Sequence, residues 1–213
     1  FVKMKKKYKD ISAEVEKVVG NNAKKMHGSR DYFKIEENDL IFEIVPVLKI
    51  NKIQDCENVT DFSYFHVGYV KKNTSKKIRK EISLAKKFCK AQGVYGAESY
   101  IQGFSGYGLE CLIIYYKSFE KMLRDLINVK ENEKRVIDIK RFYKDKNKVF
   151  REINEAKLRS PVILVDPTWK ERNVLAALSW ETFRRFQESA RSFLKNPSEN
   201  YFLEKGTDSS KLS

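Results

Sequence analysis

An α+β fold, with a small sheet first and helices after it, is what this sequence predicts. Three observations carry the prediction. Short runs of β-branched and aromatic residues crowd the first fifty positions, and Asp31 to Ile35 is separated from Leu40 to Ile50 by the turn-forming Glu36-Glu37-Asn38-Asp39. Beyond Asn51 the apolar residues change to the three-and-four spacing of amphipathic helices. The chain's 213 residues are enough for one large or two modest domains with a real core.

In chain order, Phe1-Val2-Lys3-Met4 reads as the tail of a strand. Ser12 is the expected N-cap of a first helix, since Glu14 and Glu16 place negative charge in its first turn. Val15, Val18 and Val19 form its apolar stripe, and Gly20-Asn21-Asn22 stops it. The hairpin comes next. Its second arm, LIFEIVPVLKI, is apolar on both faces, which predicts a buried strand. Glu43 sits in the middle of that arm, where an unpaired ion costs several kcal/mol or is neutralised. Three readings of Glu43 stand together at this point. It can lie on an edge strand and face water, with Pro46 ending the ladder; it can pair with a lysine; or it can bind a hard divalent cation.

In the helical part, Lys76 to Gln92 puts Ile78, Ile82, Ala85 and Cys89 on one stripe, with Gly93 as the stop. Lys86 lies beside that stripe rather than opposite it. Ser105 is expected to cap a helix carrying Leu109, Leu112, Ile113 and Tyr116, and a third helix runs from about Phe119 to Ile127. Residues 131–159 are highly charged, with a short strand at Val136 to Ile139. Val162 to Val165 is a buried strand ended by Asp166-Pro167, and a last helix from Ser179 to Lys195 stops at Asn196-Pro197-Ser198. From Gly206 the sequence reads as linker, and there is no internal repeat.

Lys+Arg 43 against Asp+Glu 29 gives a net charge of +14, spread over several helices, which favours a nucleic-acid partner over a membrane. Cys56, Cys89 and Cys111 are odd in number and lack CxxC spacing, as expected for a reducing, cytoplasmic compartment. Only His27 and His66 are present, so a zinc site is not expected. No apolar run reaches the roughly 18 residues of a membrane span, and no signal peptide is visible.

Six stretches taken together carry a resemblance: FEIVPVLKI at 42–50, DFSYFH at 61–66, LAKKFCKAQGVYGAE at 84–98, GFSGYGLECLIIYYKSF at 103–119, VDPTWKERNVLAALS at 165–179 and FLKNPS at 193–198. In order and spacing they resemble the archaeal-type (class I) CCA-adding tRNA nucleotidyltransferases. The resemblance implies the remainder of a polymerase-β-like nucleotidyltransferase head sheet over residues 1–53. A mainly helical substrate-binding domain, of the kind found in poly(A) polymerases and oligoadenylate synthases, would come after it over 54–197, with 198–213 as linker or the start of a further region. It implies addition of C, C and A to tRNA 3′ ends from CTP and ATP. The partners would be the acceptor stem and 3′ end of tRNA, with Mg²⁺ as cofactor, no membrane, and a homodimer allowed. A non-catalytic RNA-binding module and a poly(A)- or oligoadenylate-forming relative are the alternatives.

Residue by residue, Glu43 maps onto the third metal-binding carboxylate, where the family usually has Asp in a D-V-V-P-C-Y context. The paired acidic motif and the Gly-Ser loop of the family lie upstream of the segment that Phe1-Val2-Lys3 resembles. The chain alone is therefore expected to transfer no nucleotide. Lys86 and Tyr95 match triphosphate contacts. His66 matches the histidine that ends the family's T-P-F-H stretch, near the incoming nucleotide, although Ser63-Tyr64 replaces Thr-Pro here. Arg172 matches the arginine that reads the nucleobase edge. Gln102 stands where the family often has Arg. Lys134-Arg135, Lys140-Arg141 and Arg184-Arg185 are candidates for phosphate contacts.

Overall fold

The computed structural model describes residues 1–4, 8–28, 30–58, 60–131 and 133–204, so the linker expected from Gly206 lies outside the described residues. The chain divides into two compact units, Phe1–Tyr69 and Val70–Ser213, and the division falls within the helix α2 (Ser63–Asn73).

The first unit opens with β1 (Val2–Met4), followed by α1 (Ile11–Val19). The cap of α1 corrects the expectation. Asp10, not Ser12, is the N-cap, because its extended backbone lets the carboxylate accept from the N–H groups of both Ser12 and Ala13. Ser12 is buried and donates its hydroxyl to the carbonyl of Asp31 at 3.1 Å. Three antiparallel strands then form a sheet in the order β2 (Lys24–Met26), β3 (Tyr32–Glu37), β4 (Leu40–Ile44). The β3–β4 turn is the expected hairpin, closed by Asn38 and Asp39, both with positive φ (50° and 61°) as a two-residue primed turn requires.

The single buried strand expected over 40–50 is not found. The stretch splits at Val45: β4 is the outer strand of the antiparallel sheet, while β5 (Pro46–Leu48) pairs in parallel with β1. Pro46 begins β5, where its missing N–H removes nothing from the ladder. Pro46, Val47 and Leu48 are buried, but Leu40, Ile41, Phe42 and Glu43 are exposed. Apolar composition was a poor guide to burial there, because no described element covers either face of β4. Core residues of this unit are Ile11 and Val15 of α1, Phe33, Val47 and Leu48.

Asp61 ties the unit together. Its fully buried carboxylate accepts a two-pronged contact from Arg30, and the N–H groups of Leu48 (2.9 Å), Asn58 (3.0 Å) and Glu57 (3.3 Å). Burial alone would raise its pKa; the Arg30 hydrogen bonds and the Leu48 N–H outweigh that and hold it below the usual carboxylate value.

The second unit holds the helices α3 (Lys76–Ala91), α4 (Gly106–Tyr116), α5 (Phe119–Leu126), α6 (Lys146–Glu152) and α7 (Trp180–Lys195). Ser75, Ser105, Ser118 and Ser179 cap α3, α4, α5 and α7 by accepting backbone N–H bonds. Phe88 of α3 is the hub of the core, with ring contacts to Phe119, Phe186, Phe193, Tyr201 and Phe202. Gln187 of α7 closes the end of α5 by donating to the carbonyls of Leu126 and Val129, each at 2.9 Å. A small sheet completes the unit: β6 (Arg135–Asp138) runs parallel to β7 (Val162–Asp166), and β8 (Trp169–Asn173) runs antiparallel to β7. Every residue of β7 is buried.

Candidate nucleotide site

Three of the five residues singled out from sequence gather around the first turn of α4. The chain leaves α3 through Gly93, whose φ of 65° suits glycine, and runs as Val94-Tyr95-Gly96 alongside Gly103-Phe104. Bonds from Phe104 N to Val94 O (2.8 Å), Gly103 N to Gly96 O (2.7 Å) and Gly96 N to Phe104 O (2.9 Å) clamp the two segments. The approach is so close that a Cβ on Gly103 would lie 2.2 Å from the Val94 carbonyl oxygen. This clamp sets Tyr95 against Gly106, the first residue of α4. A Cβ on Gly106 would stand 2.7 Å from the Tyr95 hydroxyl and 3.8 Å from Lys86 Nζ, so this glycine leaves the room that both groups share. One turn further along α4, Glu110 holds Lys86 by a 2.6 Å ion pair, and both side chains are partly exposed. Lys90, one turn beyond Lys86, places its ammonium 5.3 Å from the centre of the Tyr95 ring.

Arg172 reaches the same helix through Asp166. That fully buried carboxylate, at the end of β7, takes Arg172 Nη1 at 2.6 Å, the Tyr107 hydroxyl at 3.1 Å, and both the N–H (2.8 Å) and the hydroxyl (2.7 Å) of Thr168. Burial, with the nearby Cys111 and Asp166, pushes the Tyr107 hydroxyl far above its usual pKa, so it stays a protonated donor. Beside Arg172, the buried Asn173 spends its whole amide on the backbone and on Ser160: its oxygen accepts from Leu164 N and Leu175 N, and its nitrogen donates to Lys157 O and Ser160 Oγ. Arg172 is therefore carried on a rigid strand end while its side chain stays about one-third exposed.

Glu43 and His66 belong to the first unit. Glu43 is exposed on β4, opposite Lys34 in the register. His66 is half-buried on α2, with its ring edge-on to Phe62 at 5.1 Å. Among the described residues no group of three or more His, Cys, Asp or Glu side chains is placed to hold a metal ion. A two-metal centre needs several carboxylates on one spot, so the described residues do not make a magnesium site by themselves. No helix among them is long and apolar enough to cross a membrane.

Glu110, Tyr107 and Asp166 were missed as site residues. Glu110 and Tyr107 stand in the GFSGYGLE stretch and Asp166 in VDPTWKERN, but their partners, 24, 59 and 6 residues away, are invisible to periodicity.

The α+β architecture has counterparts among solved structures. The Cid1 poly(U) polymerase, in a structure with Mg and 3′-dATP bound, matches with a TM-score of 0.61 at 12% identity, over 95% of this chain and 80% of that one. Residues 80–203 match the family described as tRNA nucleotidyltransferase, second domain, and the chain belongs to that family. It is 40% identical to the CCA-adding enzyme of Nanoarchaeum equitans over 201 residues, which are 92% of this chain and 50% of that protein. It is 35% identical to the CCA-adding enzyme of Saccharolobus islandicus over 177 residues, 83% of this chain and 40% of that one. The chain thus spans half or less of the curated relatives it matches.

Proposed function

We propose that this chain is the nucleotide-holding part of a CCA-adding enzyme, which in its intact form extends tRNA 3′ ends with C, C and A from CTP and ATP. The observation that carries this is the grouping of Lys86, Tyr95 and Arg172 around one turn of α4. A triphosphate is met there by the Lys86 ammonium and the Tyr95 hydroxyl, a point charge and a directed donor. Glu110 keeps Lys86 in place before the nucleotide arrives and shares its proton donors afterwards. Arg172, held by Asp166, presents planar N–H donors to the base edge. For His66, the resemblance to the CCA-adding enzymes is what supports a nucleotide-binding role. Residues 1–53 are the head remainder, 54–197 the substrate-binding domain, and 198–213 a linker or the start of a further region.

In the intact protein Glu43 contributes one oxygen ligand to Mg²⁺. The described residues offer it no companion carboxylates, so this chain alone binds nucleotide without transferring it. The acceptor is the stem and 3′ end of tRNA, and a cytoplasmic location fits the three free cysteines.

Isothermal titration of the chain with ATP and CTP tests the reading. Binding that Lys86→Ala weakens about ten-fold or more is the expected result. Binding that Lys86→Ala and Tyr95→Phe leave untouched would overturn the site. A second assay, with tRNA lacking its CCA end, labelled CTP, ATP and Mg²⁺, should give no product; efficient extension would overturn the role given to Glu43.

A further inference from the structure

Helix α3 carries a charge pattern that its own stability does not call for. Its buried arc is Ile82, Ala85, Phe88 and Cys89, and its exposed residues are Lys76, Lys77, Arg79, Lys80, Ser83, Leu84, Lys87 and Lys90. At 100° per residue, Lys76, Lys80, Ser83, Lys87 and Lys90 fall on one continuous strip, with Arg79 and Lys77 along its margins. No carboxylate interrupts it. The helix's only acidic residue, Glu81, is turned to another side, where it accepts the N–H of Phe119 at 2.7 Å. Among the described residues none of these six cations has an ion-pair partner; Lys90 has only the Tyr95 ring, and shares a surface groove with Glu204.

The contrast with the rest of the unit is chemical. Arg124, Arg135, Lys170, Arg172 and Arg184 each meet a carboxylate within 3.2 Å. On α3, like charges instead stand one turn apart, and the first turn holds no acidic residue and three cations, against the helix dipole. Each of these choices destabilises an isolated helix. An anionic partner reverses the sign of all of them.

We propose that the exposed face of α3 is a track for the sugar-phosphate backbone of RNA. The strip is about 21 Å long at 1.5 Å per residue, enough to meet several phosphates of one strand. It ends at Lys90 and Lys86, beside Tyr95, so a strand lying on it is delivered to the nucleotide site. A bilayer surface is the poorer fit, because the apolar arc of α3 is spent in the core and cannot enter lipid. Which RNA is bound rests on the CCA-adding role proposed for the intact protein; the charge pattern of α3 does not.

The test is fluorescence anisotropy of a labelled RNA hairpin with a 3′ overhang, titrated with the 213-residue chain between about 50 and 200 mM salt. Lys76→Gln/Lys80→Gln/Lys87→Gln is compared with the wild-type chain and with a control of equal charge, Lys121→Gln/Lys146→Gln/Lys148→Gln. The α3 variant is expected to raise Kd about ten-fold or more and to lower the slope of log K against log salt by about 2 to 3, with ATP affinity unchanged and the control's slope as in wild type. Equal loss in both triple variants, or loss in neither, overturns the track. So does an α3 variant that keeps RNA and loses phosphatidylserine vesicles. ATP binding is read in parallel. If the wild-type chain binds RNA through α3 but binds no ATP, the nucleotide reading fails and the track stands.

Discussion

Gly106→Ala separates a functional glycine from a merely structural one, because its two expected effects have opposite signs. The new methyl would stand 2.7 Å from the Tyr95 hydroxyl and 3.8 Å from Lys86 Nζ. Lysine is within ordinary contact there and need not move. The tyrosine oxygen must retreat by roughly 0.8 Å to reach a normal separation of about 3.5 Å. A hydroxyl that donated to a phosphate at about 2.7 Å then lies near or beyond 3.5 Å, where little of the hydrogen bond survives. Losing a bond to a charged acceptor is worth about 1.5–3 kcal/mol, or about ten- to a hundred-fold in nucleotide Kd. Stability moves the other way. Alanine is favoured over glycine in a helix by up to about 1 kcal/mol, and the tyrosine can yield because its hydroxyl is the free end of a side chain. Titration calorimetry with ATP and CTP, beside a thermal melt, reads both. Weaker binding with an equal or higher Tm is expected, and Tyr95→Phe should match the binding loss without the stability gain. Unchanged affinity with a raised Tm would refute the role given to Tyr95.

The other predictions concern neighbouring parts of the two units. Gly103→Ala meets a backbone carbonyl that cannot step aside, so it should destabilise the second unit by about 1–3 kcal/mol or more, read as a lowered Tm. Phe88→Ala, at the centre of the aromatic cluster, should remove about 3–5 kcal/mol, seen as a melting shift of about 10 °C or an unfolded chain. Arg172→Lys keeps a cation beside Asp166 but loses the planar donor set; the preference for CTP and ATP over UTP and GTP in competition titrations should shrink while Tm changes little. Asp61→Asn should cost the first unit about 3–5 kcal/mol by leaving the half-buried Arg30 without its counter-ion. The same carboxylate contributes to the wild-type pH profile. Its folded pKa is depressed, so the unfolded state binds the proton first: the stabilisation is complete above about pH 4 and is lost as pH falls through the lower, folded value. Circular-dichroism melts from pH 6 to 2 should show that loss in the wild type and a flatter profile in the Asn variant.

How much of this was legible in the sequence depends on whether the deciding interaction was local. The hairpin turn at Asn38-Asp39, the cap at Ser105 and the stop at Gly93 are set by residues within four positions of one another, and all are found where expected. β2, α2, β8 and α6 went unread. Lys24–Met26 is short and polar, and Trp169–Asn173 carries three charges; each becomes a strand only because β3 or β7 offers it a ladder. The stretch from Leu40 to Ile50 failed for the converse reason. Apolar character says what a strand would bury, whereas burial itself depends on a neighbouring element, and the described residues place none over β4.

The same distinction governs the site. A resemblance in six stretches named Lys86, Tyr95 and Arg172 without saying what holds them. The structure gives each a fixed neighbour: Glu110 for Lys86, Gly106 for Tyr95, Asp166 for Arg172. Two of these neighbours, Gly106 and Glu110, lie on successive turns of α4, and Tyr107 of the first turn reaches the third through its hydroxyl. A displacement of α4 therefore moves the lysine, the tyrosine and the arginine together rather than one at a time. On the proposed nucleotide role, a methyl at Gly106 is expected to be felt at the phosphate end of the ligand, and coupled changes at Glu110 and Asp166 should be non-additive in double-mutant cycles of nucleotide binding. Strict additivity there would mean that the three groups stand near α4 without being held by it.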